Sequence, residues 1–264
     1  MTSNCNNNKK HWSKISVLHA WKLGARSLLL VLAIACYVLG TVFGHTDAVL
    51  GALEDNWWFL ILVWVFFVVE MILRFFPSRF ESMGCQKQFR RNFTPTEMKK
   101  ANLPSAKGTL ITLFVWLALN GIIAALYFLN IIDAGILILI SLFYSVCDMI
   151  CILFFCPFQT WFMKNKCCGS CRIYNWDYAM MFTPIALIIH PYTLSLFGIA
   201  LLLLLVWEIT LRIYPERFAE NTNASLACAN CKEKLCHHKT QLKGYLKKNR
   251  ELMKKYLKER EKKK

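Results

Sequence analysis

Apolar runs of about twenty residues recur along this 264-residue chain, separated by segments rich in lysine and arginine. A helix of that length crosses a hydrocarbon core of about 30 Å. In lipid such a helix also satisfies its own backbone N–H and C=O groups, which an open sheet does not. The chain is 56% hydrophobic with a mean hydropathy of +0.37, yet its net charge is +16. A soluble nucleic-acid-binding domain can be this basic but has no use for such runs, so nucleic acid is not the expected partner. The expected fold is an all-α integral membrane protein with about six transmembrane helices, near residues 25–43, 57–76, 109–129, 135–156, 178–192 and 195–213. The fifth is the weakest: Ala179 to His190 is short, and Pro184 and Pro191 interrupt it. It reads as a short or re-entrant segment, which survives at membrane depth only inside protein or beside a wet cavity.

Charge sets the expected topology. Lysine and arginine number 5 in residues 1–26, 8 from Arg74 to Lys107, 3 in residues 157–178 and 16 from Arg212 onward. The connections 44–56, 129–134 and 192–195 hold none, but carry Asp47, Glu54, Asp55 and Asp133. Basic loops stay on the cytoplasmic side, which puts both termini and both longer loops inside a plasma or inner membrane. The first apolar run starts too far in and is too long for a cleaved signal peptide, so the N-terminus is expected to be retained. Residues 1–24 form the N-terminal tail. Within it, Trp12, Ile15, Leu18 and Trp21 recur among lysines from Lys9 to Lys22, either as an interfacial helix or as an extension of the first span. The basic stretch 239–264 is a helix candidate with an interrupted apolar stripe, suited to anionic lipid head groups.

Six identities at fixed spacing relate Glu70-Met-Ile-Leu-Arg-Phe-Phe-Pro-Ser-Arg-Phe80 to Glu208-Ile-Thr-Leu-Arg-Ile-Tyr-Pro-Glu-Arg-Phe218. A weaker third copy is Ile152 to Pro157. The pattern predicts three pseudo-repeated hairpins, each leaving the membrane at a proline just ahead of cysteines.

Those cysteines are the first candidate site. Cys167, Cys168 and Cys171 follow one hairpin, and Cys228, Cys231 and Cys236, with His237 and His238, occupy the stretch 214–238 after another; Cys85 follows the first. Two C-x-x-C pairs, Cys168/Cys171 and Cys228/Cys231, supply four thiolates, the donor set of a zinc or an iron–sulfur site. Cys236, His237, His238 and Cys85 are spare ligands, and adjacent Cys167 and Cys168 would seldom both reach one ion. In a reducing compartment clustered thiols favour metal over disulfide. The Cys-His-His ending is not that of the Asp-His-His-Cys acyltransferases, because no such tetrapeptide occurs.

Ionisable residues within apolar segments form the second candidate site, since each costs about 2.5–3.5 kcal/mol at mid-membrane. Glu70 and Glu208 each have an arginine four residues on, Arg74 and Arg212, positioned for a local ion pair. Asp148 has Ile152 at that offset and no local cation, which marks it for cation or proton handling or for a cationic partner elsewhere in the chain. His190 and Asn120 read as ordinary polar residues. Tyr174 to Tyr178 read as interfacial anchors, with Asp177 able to cap the next helix. Two glycosylation sequons, Asn92-Phe-Thr94 and Asn223-Ala-Ser225, are expected to stay unused on the cytoplasmic side.

No nucleotide-binding glycine loop, nucleophile elbow or H-E-x-x-H motif occurs, and the sequence names no reaction. The leading expectation is a multi-pass protein with a thiolate metal centre that is structural or passes electrons to a membrane quinone. Two others are a small-cation transporter using the intramembrane acids, and a scaffold recruiting a protein partner through its basic tail.

Overall fold

A computed structural model describes residues 14–42, 57–77, 83–98, 100–103, 106–163 and 171–227, with isolated positions 230 and 249. The helices are α1 (Lys14–Val42), α2 (Trp57–Ile72), α3 (Met83–Gln88), α4 (Ala106–Phe128), α5 (Ala134–Leu153), α6 (Asp177–Phe182) and α7 (Pro191–Ile213). Short 3-10 turns join them, and among the described residues the only β pairing is a single bridge between Pro95 and Asn223. Four helices, α1, α4, α5 and α7, are long and apolar enough to cross a membrane. α2 is apolar throughout but has only 16 residues. The expected six spans in three repeated hairpins therefore reduce to four full-length helices, one shorter helix and one broken segment.

α1 decides between the two readings of its opening stretch. The residues from Lys14 to Lys22 are its opening turns, continuous with the span, and Lys9 to Trp12 lie outside the described residues. Its polar Ser16, His19 and Arg26 are buried while Trp21 is 66% exposed, so the stretch packs inward on its polar side. Outer faces show the same inversion elsewhere. Leu110, Phe114, Leu117 and Ile122 on α4, and Leu202, Leu205 and Ile209 on α7, are exposed. Apolar residues turned outward along whole helices are what contact with lipid requires.

The fifth segment is short and broken at both of its prolines. α6 ends at Phe182, a 3-10 turn spans Pro184–Leu187, and Ile188 to His190 are extended. Pro184 has no N–H to continue the α-helix, and Pro191 restricts His190 to extended backbone, so the helix breaks twice. The more extended rise of the later residues lets this short path run the height of the bundle. Asp177 meets Arg74 at the C-terminal end of α2, while His190 caps the N-terminus of α7 through Nδ1, which accepts from the Tyr192 N–H at 3.2 Å. Tyr178, Ala179, Met181, Phe182 and Ile185 are buried. α6 packs against α5 and α7 and the Pro184–Leu187 turn against α4, α5 and α7, which encloses this irregular backbone in protein, while Ile189 and His190 beyond it are exposed.

α1 packs chiefly on α5, and α2 on α7. The Trp64 indole donates to Ser195 Oγ at 2.9 Å, fixing α2 to α7. A short turn leads from α4 to α5, and in it Asn130 takes the left-handed conformation at φ 56°. Asp133 then caps α5, accepting from the Ile136 N–H at 2.8 Å and from the Tyr37 hydroxyl of α1 at 3.0 Å. At the other end the stretches 92–98 and 100–102 clasp 221–225 around Asn223.

Candidate functional site: a buried charge network beneath an apolar cavity

The network grows from Arg26, 1% exposed, one residue before the long apolar run of α1. Its Nη2 meets Glu70 Oε2 at 2.6 Å, and its Nη1 meets Asp148 Oδ2 at 3.3 Å and donates to the Ser145 carbonyl at 3.1 Å. The guanidinium lies 5.4 Å from the Phe67 ring centroid. Four residues earlier on the same face of α1, Lys22 Nζ reaches Glu70 Oε1 at 2.9 Å. The Tyr178 hydroxyl donates to Glu70 Oε2 at 2.9 Å. Arg74, one turn beyond Glu70, grips both oxygens of Asp177 at 2.6 and 2.7 Å and stacks on Tyr178 with a centroid distance of 4.5 Å.

Three cations thus face three acids from four elements. Planar two-point geometry and aromatic stacking suit arginine at such buried positions. Taking these charges out of water is costly, and their mutual pairing offsets much of that cost. His19, also buried, sits one turn below Lys22 with neither ring nitrogen bonded. A second acid is served separately: Glu208 of α7 accepts from Arg172 at 2.7 Å and from the Trp176 indole at 2.8 Å.

These contacts relocate the expected pairs. Glu70 turns to Arg26 and Lys22, Arg74 to Asp177, and Glu208 to Arg172, while Arg212 is exposed. Asp148 does have a cation, contributed by a helix far away in sequence. Tyr174 to Tyr178 are not interfacial anchors; Tyr174, Asn175, Trp176 and Tyr178 are buried, and the stretch ties α2, α3 and α7 together. Arg26, Lys22 and Arg172 were overlooked because each sits where a topology-setting basic residue is expected. The useful signal was the isolated Asp148, which demands a buried cation from somewhere.

Of the expected metal ligands, only Cys171 has a described side chain, and it is buried. Cys85 lies in α3 with only its backbone described; Cys167, Cys168, Cys228, Cys231, Cys236, His237 and His238 lie outside the described residues, as does nearly all of the 239–264 stretch. Among the described residues no group of three or more His, Cys, Asp or Glu is placed to hold a metal ion. The sequons meet inside the loop clasp: Thr94 and Ser225 hydroxyls lie 3.0 Å apart, and the Ser225 hydroxyl donates to the Asn92 carbonyl. Asn223 is fully buried, its amide donating to the Lys87 and Arg217 carbonyls. Asn120 donates to the Trp116 carbonyl of its own helix.

Above Arg26 a cavity of about 410 Å³ opens between α1, α2, α5, the broken segment and α7. Phe67 and Ser145, which contact Arg26, form its floor; Trp58, His190 and Tyr192 form its far end. Its serine and threonine hydroxyls are already committed: Ser141 donates to the Met181 carbonyl, Ser145 to that of Leu142, and Thr193 to those of Ile188 and His190. Comparison with known families, curated proteins and solved structures finds no match.

Proposed function

We propose that this chain is a multi-pass membrane protein that holds one hydrocarbon tail of a membrane lipid in the cavity above Arg26. The carrying observation is the chemistry of the wall, whose serine and threonine hydroxyls are satisfied within the chain and whose remaining surface is predominantly apolar side chain, with His190 and Tyr192 at the far end. Such a cavity gains little from water and most from hydrocarbon. From Trp58 to Phe67 the helical rise is about 13 Å, close to half of a membrane core of about 30 Å. A tail entering from one leaflet, between the loosely associated α1 and α2, would end on Phe67. The charge network closes the floor and holds the surrounding segments apart. This reading places the basic end in the cytoplasm of a plasma or inner membrane, with the tail drawn from the opposite leaflet.

Native mass spectrometry from mild detergent tests the reading. The protein should retain a single lipid, and Ala33→Phe, which projects into the cavity, should lose it while melting at an unchanged temperature. Equal occupancy in both overturns the reading. The mass of the retained species separates an acyl lipid from an isoprenoid quinone.

A thiolate metal centre, zinc or iron–sulfur, is the second reading. It is favoured by one placement: α3, which carries Cys85, packs against both the 172–176 turn just after Cys171 and the 224–226 turn just before Cys228. Metal and acid-labile sulfide assays on protein purified without air would test it, and protein free of both would remove it. The cation-carrier reading has less support, since Glu70, Asp148 and Glu208 each face a cation of the chain itself.

A further inference from the structure

At the end of the bundle remote from the charge network, a second cavity of about 400 Å³ opens between α1 and the turn from α4 to α5. Its wall carries three aromatic rings, those of Tyr37, Tyr127 and Phe128, with Asp133 among them. The Tyr37 ring lies against the start of α5 at Gly135, where an added Cβ would meet it at 2.9 Å. Both oxygens of Asp133 already accept a hydrogen bond, Oδ1 from the Ile136 N–H at 2.8 Å and Oδ2 from the Tyr37 hydroxyl at 3.0 Å. Neither donor is a cation, and among the described residues Asp133 makes no ion pair. The start of α5 offsets about half an elementary charge, which leaves the carboxylate net negative. The connections 44–56, 129–134 and 192–195 have the same sign, with four acids and no lysine or arginine.

We propose that this cavity binds a trimethylammonium group, carried either by the choline headgroup of a membrane lipid or by a free choline-type solute. The uncompensated carboxylate calls for a cation, and the hydrogen bonding of the wall selects its class. With one donor already on each oxygen, Asp133 keeps its charge but has little left to accept from a primary ammonium, which presents three N–H donors. A trimethylammonium donates no hydrogen bond. Its charge is attracted by the carboxylate and by the negative faces of the rings, and its methyl groups rest on those same rings. The site is separate from the cavity above Arg26. A free choline has no hydrocarbon tail to place there, so either assignment holds if the other fails.

The test places full-length protein in nanodiscs of phosphatidylglycerol, which has no cationic headgroup, and titrates in choline, read by saturation transfer to its methyl protons in NMR. Choline should bind, and an equal concentration of ethanolamine should leave its signal intact. Asp133→Asn keeps a helix-capping oxygen while removing the charge, so it should melt near the wild-type temperature and bind choline about tenfold more weakly. Equal binding by wild type and this variant, equal binding of choline and ethanolamine, or no choline signal at all overturns the proposal. The wild-type comparison of the two amines stands by itself if the variant fails to fold. Adding phosphatidylcholine to the nanodiscs identifies the source of the group: loss of the choline signal assigns the site to the lipid headgroup, and its persistence assigns it to a free solute.

Discussion

Arg26 joins two other helices, α2 and α5, through one guanidinium, and its removal is the most informative single change. Arg26→Met leaves the Glu70 and Asp148 carboxylates short of their shared cation in a site closed to water. Breaking a buried pair from one side costs about 3–5 kcal/mol, so the detergent-solubilised protein should melt far lower. Adding Asp148→Asn should return part of that loss, and a double-mutant cycle by thermal unfolding would measure it. Glu208→Gln should cost less, about 1 kcal/mol, because Arg172 is 24% exposed and the amide oxygen still accepts from Trp176. At this scale the sequence was half legible. It singled out Glu70, Glu208, Asp148, Arg74 and Arg212 as ionisable residues of the apolar segments; the first four engage charges, while Arg212 is exposed. Their partners were hidden, because local spacing on one helix says nothing about which side chain another helix presents.

At the scale of elements, the long apolar runs translated well: α4, α5 and α7 begin and end within a few residues of the expected bounds. Their signal is composition over many residues, which tertiary context rarely overrides. The broken segment was recognised as exceptional through Pro184 and Pro191, but its route through the bundle was not visible, since that depends on the helices enclosing it. The preceding stretch, 174–178, was misassigned because aromatic and charged residues beside a span look alike whether they anchor at an interface or fill a core. α4 offers a test of packing that composition alone does not reveal. A Cβ added at Gly108 would lie 2.6 Å from the Phe162 carbonyl oxygen, a backbone atom that cannot simply rotate away. Gly108→Ala should therefore displace α4 from the 158–162 turn and lower the melting temperature. Gly121→Ala, whose added Cβ meets nothing within 4 Å, should leave the melting temperature unchanged or raise it slightly.

Across the whole molecule, the two ends are fastened by different means. One end relies on the Tyr37–Asp133 bond and the α4–α5 turn, the other on charge pairs and on the loop clasp around Asn223. That side chain is 0% exposed, and its oxygen accepts from the Ser225 and Thr94 N–H groups at 3.1 and 3.4 Å. Asn223→Ala strands several buried backbone groups at about 1–3 kcal/mol each, so trypsin should cut at Arg90 and Arg91 much sooner in the variant, read by timed digestion. The sequon pattern marked these positions for the wrong reason, since a residue suited to carry a sugar is also suited to bridge two loops. The network has a last consequence, for how the chain is made. The Arg26 partners Glu70 and Asp148 stand 44 and 122 residues later in the chain. As the ribosome delivers the first span, its arginine meets the bilayer alone, and it stays only partly compensated until α5 emerges. Insertion should therefore be sensitive to the order of synthesis, with nascent chains stopped before Asp148 held at the translocon or by a membrane chaperone longer than those stopped after it.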